Sequence, residues 1–229
     1  MFCENIEIPS SLGNDRLFDR FWNVNENWVE EPNQRRRGRS GVISATFNQE
    51  AVFIKKQVNH LHRCLRFPLG RPTALREAEA LAAMRKIGVM VPDTIYCATR
   101  RVSGKQQTVL VTRGLPGFVD LDFFLARESA MSASEHLEFM VSLASTLVRM
   151  HRHRWQHSSL YGKHILVRRG DGRFEVVLID LEKMRRRITV GQASRHDLDQ
   201  LSRHQKGWDC GKWQEFLKVY RNILQNGLP

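Results

Sequence analysis

His157-Ser158-Ser159-Leu160-Tyr161-Gly162-Lys163-His164-Ile165-Leu166-Val167 is a polar, histidine-bearing loop that runs straight into a β-branched strand, and one hairpin later comes Ile179-Asp180-Leu181-Glu182. Upstream, residues 132–154 place Leu137, Val141, Ala144, Leu147, Val148 and His151 at helical spacing, which predicts a long helix buried on one side. Ser134, Glu135 and Glu138 suit its start, and Arg149, Arg152 and Arg154 suit its end, where the helix dipole is negative. Downstream, Ile165-Leu166-Val167 and the run from Phe174 to Ile179 flank Gly170-Asp171-Gly172, which reads as a hairpin. The order is therefore long helix, polar loop, strand, turn, strand, carboxylate, with Asp180 at the end of an apolar strand.

Working outward, Val42–Phe47 and Ala51–Lys56 are β-branched runs separated by Asn48-Gln49-Glu50, and they read as an antiparallel hairpin. It is preceded by the basic, glycine-containing turn Arg35-Arg36-Arg37-Gly38-Arg39-Ser40-Gly41. Residues 73–88 predict a helix, with Thr73 as N-cap and Gly88 at the C-terminus, and Pro92 prevents its continuation. Two further strands are expected between Tyr96 and Thr112 around Gly104, then a loop over 114–117 and a short helix over 120–128. Helices over about 194–204 and 212–226 close the chain. The first ~30 residues, with Phe18, Phe21, Trp22 and Trp28, read as a docked arm. Strands and helices are segregated, which implies α+β in two lobes: residues 1–113, β-rich with one embedded helix and the arm at 1–32, and residues 114–229, mostly helical. A ligand is expected in the cleft of such a pair.

The 229 residues are 41% hydrophobic, enough for a core and too many for a disordered chain. Lys and Arg number 36 against 24 Asp and Glu, a formal net charge of +12, and 27 of the basic residues are arginine. Arginine's planar, permanently charged fork suits phosphate and carboxylate, so anionic partners are expected. No apolar run approaches the ~20 residues of a membrane helix, and no secretory signal opens the chain. Cys3, Cys64, Cys97 and Cys210 form no CxxC pair, which fits a reducing cytoplasm and argues against a disulfide framework or a structural zinc. His151, His153 and His157 cluster without a cysteine or carboxylate to complete a zinc set, and read as helix-end and loop residues. Nucleic-acid binding is disfavoured, since no aromatic-interleaved basic strand or recognition helix is evident.

Phosphoryl transfer needs donors over the phosphates, a strand lysine, a carboxylate to hold that lysine, and a metal-binding carboxylate. Val52-Phe53-Ile54-Lys55 resembles the kinase V-A-I-K strand, with Lys55 on the Phe53 face and Lys56 pointing the other way. Glu77 shares a helix face with Leu81 and Met84, and a carboxylate on such an inward stripe needs a cationic partner, for which Lys55 is the candidate. Glu79 reads as a helix-dipole carboxylate. Asp180 stands where kinases place the metal-binding aspartate, Ser159 where they place the catalytic aspartate, and His164 where they place the metal-binding asparagine.

Together these residues resemble the lipopolysaccharide kinase (InaA) family, a divergent branch of the protein-kinase-like superfamily that includes the Kdo and heptose kinases of Gram-negative bacteria. The resemblance runs over roughly residues 33–205: RRRGRSGVIS, VFIKK, Arg76-Glu77, the exit Gly88…Val91-Pro92, LVTRGLPG, HSSLYGKHILV, LIDLEKMRRR and Arg195-His196-Asp197-Leu198. It implies a bilobal protein-kinase-like fold with a small C-terminal lobe. It also implies ATP between the lobes with Lys55 and Glu77 as its clamp, Gly38 and Gly41 over the phosphates, Mg²⁺ on Asp180 and His164, and a lipopolysaccharide inner-core or lipid A-core sugar as acceptor. A monomeric cytoplasmic protein follows, touching the anionic inner face of the inner membrane through the arginine runs 35–37 and 185–187. Two positions depart from the pattern. Ser159 is a neutral hydroxyl and a poor base, and Arg113 stands where related sequences often carry an acidic residue. Because phosphoryl transfer relies mainly on positioning and charge neutralisation, loss of the base need not abolish activity. The alternative is a nucleotide-binding pseudokinase with a regulatory or scaffolding role.

Overall fold

Alternation along Val52 to Lys56 sends Val52, Ile54 and Lys56 to one face of a strand, and that face is buried. The computed structural model describes residues 5–6, 14–25, 27–35, 38–127, 131–170 and 173–227. Cys3, Arg36, Arg37, Asp171 and Gly172 therefore lie outside the described residues. The chain divides into two compact units, residues 1–82 with 92–116, and residues 83–91 with 117–229.

The first unit contains β1 (Asn5–Ile6), α1 (Asn14–Asn23), β2 (Trp28–Arg35), β3 (Gly38–Phe47), β4 (Glu50–Val58), β5 (Leu61–Cys64), β6 (Phe67–Pro72), most of α2 (Thr73–Lys86), β7 (Thr94–Val102) and β8 (Lys105–Arg113). The main sheet runs β1-β3-β4-β8-β7, with β2 also paired to β3. All pairings are antiparallel except β1 with β3. Ile43, Ala45, Val52, Ile54, Val109 and Val111 form the apolar face, which α1 covers with Phe18 and Phe21. The N-terminal residues expected as an arm thus supply a helix and two strands. Lys56 enters this interface from β4: its ammonium donates to the carbonyls of Trp22 (2.6 Å) and Val24 at the end of α1. Burial holds its pKa down at about 8.

Three elements here carry no sequence signal of their own. β2 contains Pro32 and pairs only with β3, as an edge position permits. β5 and β6 form a separate two-stranded hairpin. The start of α2, where Thr73 was expected as cap, is also tied to β4: Ala74 N–H donates to Gln57 Oε1 (2.9 Å), and Gln57 Nε2 donates to Thr73 Oγ1 (2.9 Å). Gly38 closes the β2–β3 hairpin opposite Arg35, and a Cβ there would lie 2.4 Å from the Asn59 backbone. Gly38→Ala is expected to cost about 1–3 kcal/mol, since backbone cannot yield as a flexible side chain does, and a thermal melt measures it.

The second unit contains β9 (Val119–Asp120), α3 (Leu121–Leu125), α4 (Ala133–Arg152), β10 (Trp155–Gln156), β11 (Ile165–Arg169), β12 (Phe174–Leu178), β13 (Arg185–Arg186), α5 (Val190–His204) and α6 (Cys210–Asn226). The expected hairpin is β11–β12, with β9 on its other side, and β10 pairs with β13. α4 starts one turn from its first carboxylate by a capping box: Ser132, not Ser134, accepts from Glu135 N–H, and the Glu135 side chain reaches back. Its buried stripe, Phe139, Leu143, Leu147 and Met150, packs with Phe174 and an aromatic group of Trp208, Phe216 and Tyr220. Gly88, at φ 74°, turns the chain after α2, and Met90 O then accepts from Leu178 N–H of β12 (3.1 Å).

Candidate functional site

In the first unit, strand parity puts Lys55 on the face opposite the α1 core, and α2 passes over that face. Glu77 lies one helical turn before Leu81, and both are buried. Lys55 Nζ and Glu77 Oε2 are 2.6 Å apart, with side chains 16% and 8% exposed. A charge-assisted contact of this length, shielded from water, fixes the ammonium at one place on the sheet. Gly38 and Gly41 sit in β3 rather than in an open turn. Their Cβ positions face the Asn59–His60 backbone and the Trp28 ring, so close approach of their own chain already requires glycine at both. Arg113 ends β8 and pairs with Glu50 and with Asp93 (3.4 Å). Glu79 is bound by Arg71, whose hydrogen bonds hold its carboxyl below the usual range.

In the second unit, the loop from His157 to His164 is held from several sides. His157 Nε2–H donates to Ile179 O (3.0 Å), tying the loop to the residue before Asp180. Burial pushes the His157 pKa down, and the nearby His164 acts in the same direction, so the ring is neutral. His164 Nδ1–H donates to Ser159 O (2.8 Å). A carbonyl only accepts, so the other ring nitrogen, Nε2, is left 3.4 Å from Asp180 Oδ2 as an atom for a proton or a cation. Glu182 brings a second carboxylate oxygen within 4.8 Å of that of Asp180. The paired carboxylate oxygens of Asp180 and Glu182 are hard donors that fit a divalent cation, with His164 Nε2 beside Asp180, and phosphates and water are the usual remaining ligands. Asp180 itself adopts a left-handed conformation (φ 58°, ψ 55°), which aspartate tolerates better than most residues and which aims its side chain away from the regular strand direction.

Ser159 is 1% exposed, and its Oγ has no hydrogen-bond partner among the described residues. The loop thus uses the Ser159 carbonyl, not its hydroxyl. Asp197, noted in the sequence only as part of a motif, is fully buried and organises the loop. Its carboxylate accepts from the backbone N–H of His157 (2.6 Å) and of Ser158 (2.9 Å), and from His151 Nε2 (3.2 Å). His151 Nδ1 in turn meets the Tyr220 hydroxyl (2.8 Å). Histidines 151 and 157 are therefore structural parts of one buried polar network, while His153 bonds the Arg149 carbonyl at the helix end. A period-3.6 pattern on α5 marks Asp197 as inward-facing, and an inward carboxylate, which needs buried partners, was the signal available for it.

The arginine run 185–187 braces the same loop. Arg185 Nε donates to Ser158 Oγ (3.1 Å), Arg187 Nε donates to Gln156 Oε1, and Arg186 lies over the Trp155 ring. A pocket of about 430 Å³ lined by Met131, His136, Leu137, Met140, Lys212 and Val219 includes none of these residues.

The sequence profile of the lipopolysaccharide kinase (Kdo/WaaP) family matches residues 19–220. Protein InaA of Escherichia coli (strain K12) is 31% identical over 205 residues, which cover 89% of this chain and 94% of that protein. Among solved structures, WaaP in complex with acyl carrier protein superposes with a TM-score of 0.68 over 92% of this chain and 86% of that one, at 20% identity. That likeness shows a shared protein-kinase-like fold, as expected from the sequence.

Proposed function

The chain belongs to the lipopolysaccharide kinase (Kdo/WaaP) family, and from that premise we propose that it phosphorylates a sugar hydroxyl of the lipopolysaccharide inner core at the expense of ATP. Phosphotransfer is the chemistry of the family as a whole. In this reading Lys55, positioned by Glu77, holds the α/β-phosphates, and the β2–β3 hairpin end with Gly38 and Gly41 covers them. Asp180 and His164 hold Mg²⁺, which when bound supplies charge neutralisation to the phosphates. The acceptor is lipid A-core, reached by a monomer from the cytoplasmic side through peripheral contact with the anionic inner membrane. Among the described residues no helix is long and apolar enough to cross a membrane. The observation that carries the proposal is the shielded Lys55–Glu77 pair, because it links a strand lysine to a helix carboxylate 22 residues away with the geometry a phosphate clamp needs.

Two measurements test it. Mg-ATP should stabilise the purified protein by about 2.7 kcal/mol at ~100 Kd. Mass spectrometry of lipopolysaccharide core from cells with and without the protein should differ by one phosphate. No thermal response at millimolar Mg-ATP would remove both the kinase and the nucleotide-binding readings.

The burial of Ser159 favours a second reading, nucleotide binding without turnover, since no side-chain base stands at that position. Ser159→Ala separates the two. If positioning alone suffices, the substitution costs less than about tenfold in transfer, ~1.4 kcal/mol of barrier. It should also leave the melting temperature unchanged or raised, because it removes a buried hydroxyl with no partner among the described residues. A wild-type rate no higher than that of the Lys55→Met variant, with Mg-ATP still bound, identifies the pseudokinase.

A further inference from the structure

The β5–β6 hairpin is the most conspicuous apolar feature left on the surface. Cys64 pairs with Phe67, so the turn is Leu65-Arg66. Leu65, in the turn, is 103% exposed and Leu69, in β6, is 89% exposed, and Pro68 of β6 is exposed as well. Nothing in the described first unit covers these side chains. Arg63 and Arg66 flank them, both exposed, and Arg66 lies over the Phe67 ring at 5.4 Å. No acidic residue occurs between Glu50 and Glu77, a stretch that carries Lys55, Lys56, Arg63, Arg66, Arg71 and Arg76.

We propose that the hairpin tip, Cys64 to Leu69, inserts its leucines into the interfacial region of an anionic bilayer while Arg63 and Arg66 bind lipid phosphates. Two observations select a membrane over a protein. The tip is a two-residue turn with one short strand on each side, whereas a stable protein interface draws on ~20–30 residues a side. Its composition, aliphatic side chains beside guanidinium groups with no carboxylate, complements an apolar layer under a phosphate layer. Glycine at position 70 (φ 94°) allows the second strand to return closely past Leu61, so the tip projects as a hairpin rather than folding back. Of the arginine run 185–187, also expected at the membrane, Arg185 and Arg187 additionally donate to Ser158 and Gln156. The inference deepens the membrane contact of the proposed function and rests on that part alone. Vesicle binding and phosphate transfer to soluble acceptor are separate measurements, so either can fail without the other.

The test is co-sedimentation of the full chain with phosphatidylglycerol/phosphatidylethanolamine vesicles and with phosphatidylcholine vesicles. The wild type should bind the anionic vesicles, more weakly as salt rises, and bind phosphatidylcholine far less. The double variant Leu65→Ser/Leu69→Ser keeps the net charge, yet should lose about tenfold or more in partition at low salt, with melting temperature and Mg-ATP response unchanged. Arg63→Gln/Arg66→Gln should lose about fivefold per arginine on anionic vesicles only. Unaltered binding by the leucine variant would overturn the insertion, leaving general electrostatic adsorption. Failure of the wild type to bind anionic vesicles would overturn the proposal outright, and a hairpin-dependent protein partner recovered under those conditions would replace it.

Discussion

Lys55→Met is expected to reduce phosphate transfer by at least about 100-fold, to background, while the protein remains folded. Methionine matches the lysine stem in length and shape, so the sheet keeps its packing. What is lost is a positive charge fixed against water by Glu77 at 2.6 Å. Preorganised charge beside developing phosphate charge accounts for factors of this size, because it needs no rearrangement at the moment of reaction. The thermal gain from Mg-ATP should fall in the same variant. Glu79→Ala supplies the control on the same helix. Glu79 also pairs with an arginine, but its side chain is 62% exposed. Its removal should cost under ~1 kcal/mol of stability and leave transfer intact. A Lys55→Met enzyme with wild-type transfer would eliminate the clamp.

Asp197→Ala is expected to be the most destabilising single substitution in the second unit, about 3–5 kcal/mol, or roughly 6–20 °C in melting temperature. The carboxylate is the acceptor for two buried backbone N–H groups and for His151, and alanine leaves these donors in a site from which water is excluded. Asp197→Asn should recover part of the loss, since an amide oxygen still accepts from one or both N–H groups. The pH dependence follows from the sign of the shift. Burial acts to raise the Asp197 pKa, but the His151 hydrogen bond, the two histidines and the Ser158 N–H outweigh it, and the net shift is downward. A carboxyl depressed on folding stabilises the fold above its unfolded pKa and loses that contribution as pH falls through the folded value. Wild type should therefore lose stability in acid more steeply than Asp197→Asn, and be flat with respect to this group near neutrality. Equal acid profiles for the two proteins would show that Asp197 carries no such linkage.

Local pattern made several elements readable. The β3–β4 pairing follows from β-branched runs separated by a turn, α2 and α4 from helical period, and β11–β12 from apolar strands around glycines. Lys55 and Glu77 were also within reach, because strand parity and helix period each assign a face and an inward charge requires a partner. β2, β5 and β6 were not, and for one reason. Their sequences, WVEEPNQR, LHRC and FPLGRP, contain proline or lack alternation, and they become strands only because a neighbouring edge offers hydrogen bonds.

The sequence by itself determined the family and the kinase-like order of elements. These are local or ordinal properties, set by period, parity and spacing. Only the tertiary structure decided which hydrogen bonds complete the loop. Asp197 meets His157 and Ser158 from about 40 residues away, Gln57 of β4 accepts from the Ala74 N–H at the start of α2, and Arg185 and Arg187 donate to Ser158 and Gln156. A buried polar group must find a partner somewhere, but the chain's own order does not say where. That choice is made by the packing that brings distant backbone donors and a single carboxylate into one dry site.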